Sequence, residues 1–145
     1  MLCTVTPTLD TKRTGEHMGI TGIIPQLRTT DLAASIRFYT EKLGCSVEFQ
    51  YQDFYAGIRA GGQIFHLKLV DEKDPSIPYV EAREHFHLYL ETEGVAEFAA
   101  RLKANGVEVV KGVHETPWKT REVVIHDDQG HTLYLGEPLS PTKLK

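Results

Sequence analysis

The chain has 145 residues, of which 41% are hydrophobic and 25% charged, and a formal net charge of -4. These are the proportions of one globular domain with a real core. Lys and Arg are scattered singly, which gives no basic stripe for nucleic acid, and no run approaches the ~20 apolar residues that span a bilayer.

The opening stretch MLCTVTPTLDTKRTGEHM lacks the apolar core of a signal peptide, so a cytoplasmic protein is expected, with neither nucleic acid nor membrane as a partner. The two cysteines, Cys3 and Cys45, have no metal spacing and make no disulfide framework. Cys45 reads as a small buried hydrophobe. Residues 1–20 are rich in Thr and poor in periodicity and read as a tail, and residues 138–145 as a second tail.

Between them, residues 21–137 form a single expected domain. IIPQLR reads as a strand. DLAASIRFYTEKLG places Leu32, Ile36, Tyr39 and Leu43 at helical spacing, with Asp31 as N-cap and Gly44 beyond the end. CSVEFQYQ, FYAGIRA and QIFHLKLV then read as three strands, so residues 21–70 are a βαβββ module. Residues 71–84, acidic and holding Pro75 and Pro78, read as a linker or a loop over one edge of the sheet.

Residues 85–137 repeat the order. HFHLYLE is a strand, and Val95, Phe98, Ala99 and Leu102 mark a helix that Gly106 ends. VEVVK, TREVVIH and HTLYLG are three more strands. The interval from Asp31 to Gly44 equals that from Glu93 to Gly106, as expected of an internal duplication. The fold class is therefore α+β, two tandem βαβββ modules with curled mixed sheets around a concave cleft and helices on the outer face.

The period of two sorts the strand residues. Phe65, Leu67 and Leu69 share a face opposite Ile64, His66 and Lys68. Phe86, Leu88 and Leu90 share one opposite His85, His87, Tyr89 and Glu91. Leu133 and Leu135 oppose Thr132 and Tyr134. Gln26 and Arg28 join the helix-free side, which thus collects His, Tyr, Gln, Arg, Lys and Glu. That composition suits a polar-aromatic cleft better than a solvated face.

At this point IIPQLRTTDLAASIRFYTEKLG, DFYAGIRAGGQIFHLKL and TPWKTREVVIHDDQGHTLYLGE together resemble the glyoxalase, bleomycin resistance protein and extradiol dioxygenase superfamily, the vicinal oxygen chelate proteins, over residues 22–137. The chain is most similar to the bleomycin-resistance branch, through IIPQL, DFYAGIRAGG and PWKTREVVIHD. The resemblance implies paired βαβββ modules, a concave site and a homodimer whose modules complete it.

Metal-dependent members bind one divalent ion through the first and last strands of each module. By position, the resemblance assigns that role to Ile24, His66, His87 and Tyr134. Ile24 cannot bind a metal and Tyr134 offers a phenol, so two positions of four are competent. Such enzyme sites normally use at least three protein ligands. Gln26 or Glu91 could supply an off-pattern oxygen. The first expectation is therefore no metal, with His66 and His87 as neutral hydrogen-bonding groups in a pocket wall. The alternative is one divalent ion held around His66 and His87 in a lyase, isomerase or dioxygenase.

Arg28, Lys68 and Arg121 against Glu91 point to a neutral or weakly anionic aromatic ligand, stacked on Phe54, Tyr89, Trp118 or Tyr134. Trp118 is either a loop residue packed on the sheet edge or a lid. Asp127 and Asp128 are expected to shape a turn. Glu91 beside His87 or His66 is the best acid/base candidate.

Overall fold

A computed structural model of the protein describes residues 19–139. The expected tails, with Cys3, fall mostly outside those residues. Two four-stranded sheets follow one another along the chain. In the first, β1 (Gln26–Thr29) lies parallel to β4 (Gln63–Leu69), which pairs antiparallel with β3 (Tyr55–Ala60) and through it with β2 (Ser46–Tyr51). In the second, β5 (Leu88–Glu91) lies parallel to β8 (Thr132–Pro138), followed by β7 (Thr120–His126) and β6 (Val109–Glu115). Helix α1 (Leu32–Arg37), continued by a π-helical turn over Phe38–Lys42, serves the first module and α3 (Val95–Ala104) the second. The order in each module is βαβββ, as the duplicated sequence predicts.

Alternation explains the layering. Leu27, Ala56, Ile58, Phe65 and Leu67 turn inward with Leu32 and Tyr39, while Leu88, Val123, Ile125, Leu133 and Leu135 turn inward with Val95, Ala99 and Leu102. Both sets belong to one continuous core, so burial of apolar area couples the modules. The opposite face of each sheet carries no helix in α1 or α3.

The caps follow local chemistry. Asp31 accepts from the Ala34 N–H at 3.0 Å at the start of α1, as expected. Gly44 and Gly106 occupy equivalent left-handed positions, φ 79° and 83°, just past the two helices. At α3, Glu137 of β8 acts instead of a local cap, accepting from the Gly94 and Val95 N–H groups at 2.9 and 3.1 Å.

Two segments differ from the sequence expectation. The linker holds a helix, α2 (Ser76–Ala82). Pro75 and Pro78 argued for a loop, yet Pro75 sits at the cap and Pro78 in the first turn, where backbone N–H groups have no intrahelical acceptor to lose. Strand β5 begins at Leu88 and not at His85, because the His87 Nδ1 takes the Thr132 N–H at 3.0 Å in place of a backbone carbonyl. Phe86 therefore leaves the core face and packs on Tyr89 and Tyr134.

The modules are also pinned by polar groups. Asp127, in the turn between β7 and β8, accepts through Oδ1 from the N–H groups of Gln129, Gly130 and His131 at 2.9, 3.0 and 2.8 Å. Its Oδ2 accepts from the His131 Nδ1–H at 2.8 Å and the Tyr39 hydroxyl at 2.6 Å. Ser35 donates to Asp128 at 2.7 Å, and Thr30 donates to Gln129 through its N–H and hydroxyl at 3.1 and 3.2 Å. The acidic pair shapes the turn, as expected, and also fastens it to α1 of the other module.

Removing the Asp127 carboxylate leaves buried donors unpaired. Asp127→Ala is expected to cost about 3–5 kcal/mol and Tyr39→Phe about 1–2 kcal/mol, both read from urea unfolding. Burial alone would raise the Asp127 pKa, but the bond and charge of His131 and the Tyr39 hydroxyl outweigh it and hold the group below its ordinary value. Its contribution is complete above about pH 4 and is lost as pH falls through the lowered folded value. From about pH 4 down to that value the Asp127→Asn variant is expected to lose stability less steeply than the native chain.

Candidate functional site

The helix-free faces carry two separate clusters. On the first sheet, Gln26 of β1 donates from Nε2 to the Tyr55 hydroxyl at 3.0 Å, and that hydroxyl lies 2.8 Å from His66 Nδ1. A phenol has one proton to give. When it receives from Gln26 and donates to Nδ1, His66 is the tautomer protonated at Nε2. Burial holds the His66 pKa below the ordinary histidine value, so the ring is neutral at pH 7. Phe49 covers it, edge-on to His66 with centroids 5.3 Å apart and stacked on Tyr55. The Phe49 ring lies over Gly57, where a Cβ would collide with it.

On the second sheet, Phe86, Tyr89 and Tyr134 form an aromatic triangle, with centroids 5.1 Å apart for Phe86 and Tyr134 and 5.7 Å for Phe86 and Tyr89. Tyr89 donates to Glu122 at 2.8 Å, and burial followed by that carboxylate pushes its pKa to about 12. The Tyr89 hydroxyl sits over Gly136, as Phe49 sits over Gly57 in the other module. Tyr134 donates to the Glu84 carbonyl at 3.2 Å. Beside this triangle runs a cleft of about 550 Å³ lined by His85, Phe86, Glu115, Trp118, Glu122 and Tyr134, among others.

The remaining sequence candidates divide. Trp118, 65% exposed, lines that cleft from its loop. Phe54 is at the β2–β3 hairpin, edge-on to Tyr51 and apart from the His66 cluster. Arg28 reaches Asp74 at 3.4 Å, and Lys68 is exposed opposite Arg28 in the register. Glu91 lines a crevice of about 720 Å³ between the modules rather than the cleft beside Trp118. Arg121 lies on the helix side, in register with Glu137 and 3.5 Å from it, because Val123 and Ile125 of the same parity are core residues. It does not reach the cleft.

His87 is likewise not free. Its Nδ1 accepts from the Thr132 N–H, so Nε2 carries the proton and faces Ser76 Oγ at 3.0 Å. In that tautomer His87 cannot take the Ser76 proton, which excludes a serine–histidine nucleophile. Burial, and after it the charge of His131, keep the His87 pKa low. Between His85 and His87, it is His85 that lines the cleft. Among the described residues no three His, Cys, Asp or Glu side chains come together to hold a metal ion. Of the four positions the family uses, Ile24 is aliphatic and His66 has Nδ1 engaged by the Tyr55 hydroxyl. His87 has both nitrogens engaged, and Tyr134 is bonded to a carbonyl. These side chains do not fit a divalent ion.

Comparison with known proteins agrees with this architecture. The model of the glyoxalase/bleomycin resistance protein/dioxygenase superfamily matches residues 17–135, and the chain belongs to that superfamily. Among solved structures, a glyoxalase/bleomycin resistance protein/dioxygenase from Alicyclobacillus acidocaldarius is similar with a TM-score of 0.69 at 14% identity, covering 85% of this chain and 95% of its own. A lactoylglutathione lyase from Agrobacterium tumefaciens gives 0.63 at 20%, covering 82% and 95%. The bleomycin-binding protein of bleomycin-producing Streptomyces verticillus, complexed with copper(II)-bleomycin, gives 0.61 at 20%, covering 82% and 97%. No curated protein sequence matches the chain.

Tyr55, Phe49 and Glu122 were not among the residues singled out from sequence. The period of two contains the signal for two of them. Tyr55 has the parity of Gly57 against the core residues Ala56 and Ile58, and Glu122 opposes Val123. Gly57 and Gly136 admit the rings that line the two faces. Gly57→Ala and Gly136→Ala are each expected to destabilise the fold by about 1–3 kcal/mol through overpacking, although alanine is ordinarily the better strand residue. Urea unfolding measures the loss, and near-ultraviolet circular dichroism reports the displaced Phe49 or Tyr89.

Proposed function

We propose that this protein binds a small, flat aromatic molecule on its concave faces without the divalent metal of its enzymatic relatives, and that a second copy of the chain completes the cleft. The observation that carries this reading is the Gln26–Tyr55–His66 chain of hydrogen bonds, which engages His66 Nδ1 at a position where metal-dependent relatives hold an ion. Phe49, Phe86, Tyr89, Trp118 and Tyr134 supply ring faces for stacking, and His66 supplies orientation.

A second copy is supported by exposed apolar side chains beside the open sheets. Phe49, Tyr51, Phe54, Phe86 and Trp118 are each at least 40% exposed, as are Ile23 and Ile24 next to the edge strand β1. Such a concentration is more than singly scattered surface residues. A structural relative seen with copper(II)-bleomycin shows that this architecture accommodates a ligand in that protein. No helix among the described residues is long and apolar enough to cross a membrane, and no basic stripe suits a nucleic acid. A lyase, isomerase or dioxygenase reading needs His66 to offer a free lone pair and His87 to leave Ser76 and Thr132.

The test is a metal assay beside a ligand titration, using protein purified without a His tag or chelator. The expected results are no stoichiometric metal, a dimer by light scattering, and quenching of the single tryptophan, Trp118, by aromatic probes. About one ion per chain, lost in a His66→Ala, His87→Ala variant, would overturn the proposal.

A further inference from the structure

Helix α2 is fastened unequally along its length. At its start Asp74, 6% exposed, accepts from the Ser76 N–H at 2.9 Å through Oδ1, and the same oxygen lies 3.4 Å from the Arg28 guanidinium. Ser76 Oγ is 3.0 Å from His87 Nε2, and Ile77 is buried over Gly130, where a Cβ would lie 3.2 Å from it. The far end has fewer ties. Glu84 and His85 ride on the last turn, their N–H groups donating to the Glu81 and Val80 carbonyls at 3.2 and 3.0 Å, and both residues line the cleft beside Phe86 and Trp118. That end meets the second sheet through the Tyr134 hydroxyl, which donates to the Glu84 carbonyl at 3.2 Å, and through Glu81.

Glu81 faces His126 of β7, and the two are poorly matched. The His126 side chain is 8% exposed, with Nδ1 3.2 Å from a Glu108 oxygen and Nε2 3.8 Å from a Glu81 oxygen. Nε2 is buried and makes no hydrogen bond. A neutral imidazole has one proton to give, and carboxylates only accept. When Nδ1 gives that proton to Glu108, the lone pair on Nε2 is turned toward Glu81 and the contact is repulsive. Protonated, the ring donates on both sides. Around it, β8 presents Thr132 and β6 presents Lys111, opposite Val124, so Glu81 and Glu108 are the carboxylates that face the ring. At the other end of the helix His131 Nε2 lies 3.9 Å from Asp74, but Arg28 and the Ser76 N–H already hold that carboxylate.

We propose that Glu81 and His126 are an acid-sensitive latch on the far end of α2, which sets one wall of the aromatic cleft; the inference rests on the ligand-binding reading above. With His126 charged, Glu81 is drawn in and Glu84 and His85 are held against Tyr134. With the ring neutral, that end is released while the Asp74 end stays fastened. Ligand and proton favour the same state, so each promotes the binding of the other. Histidine is the side chain suited to this, since it ordinarily changes charge between pH 5 and 8.

The full chain and its Glu81→Gln and His126→Gln variants test it, by amide NMR spectra and by titration with 4-nitrobenzyl alcohol, a neutral aromatic quencher of Trp118 emission. In the native chain the amide shifts of residues 80–83 are expected to move between pH 8 and pH 6. Over the same interval the affinity for the probe rises about two- to fivefold, the range of a partly exposed ion pair. Glu81→Gln, at an exposed side chain, keeps the native Tm at pH 8 and holds both readouts near their pH 8 values, and His126→Gln does the same where it folds. Amides of residues 80–83 that ignore pH in the native chain, or that respond equally in Glu81→Gln, overturn the latch and leave the aromatic cleft standing. So does a probe affinity that does not follow the amides. If this probe and other aromatic molecules all fail to bind, the ligand-binding reading falls as well.

Discussion

Asp127 accepts five hydrogen bonds, four from its own turn and one from Tyr39 of the other module, and its side chain is 2% exposed. A buried carboxylate is costly unless its lone pairs are filled, so the turn, the His131 ring and the Tyr39 hydroxyl must all be in place together. That requirement fixes how α1 of the first module meets β7 and β8 of the second. Apolar burial holds the modules together without specifying an angle, whereas this polar pin specifies one.

The same neighbourhood decides what the histidines can do. His131 is spent on Asp127, and its ring lies edge-on to His87 with centroids 4.8 Å apart. His87 is held by the Thr132 N–H and by the first residue of α2. The linker helix thereby engages His87 through Ser76, and the Gln26–Tyr55–His66 hydrogen bonds engage Nδ1 of His66. The superfamily architecture is retained, with aromatic and hydrogen-bonding side chains on the helix-free faces. Position by position, family membership says where a site should be and the donor set says which chemistry it supports.

Much of this was legible in the sequence. The equal spacing of Asp31 to Gly44 and Glu93 to Gly106 gave the duplication, and the parity of Phe65 and Leu67 against His66 gave the faces. Both signals come from backbone periodicity, which local sequence carries directly. What escaped depended on contacts across the chain. Pro75 and Pro78 look like breakers until they are seated in a first turn, and Arg121 looks like a cleft cation until Glu115 and Glu137 of the neighbouring strands hold it. His87 and His85 share a parity, and only the approach of Thr132 and Ser76 separates them. The tautomer of His66 depends on Gln26 and Tyr55, distant in sequence and adjacent on the sheet.

The central claim is that His66, with Nδ1 engaged by the Tyr55 hydroxyl, serves the concave face without holding a metal ion. Long-range ¹H–¹⁵N spectra of the imidazole rings at neutral pH, recorded before and after one equivalent of zinc, test it most directly. The account predicts a neutral His66 protonated at Nε2 whose nitrogen shifts do not change on adding zinc. A His66 protonated at Nδ1, or one whose Nε2 shifts on stoichiometric zinc together with His87, would contradict it.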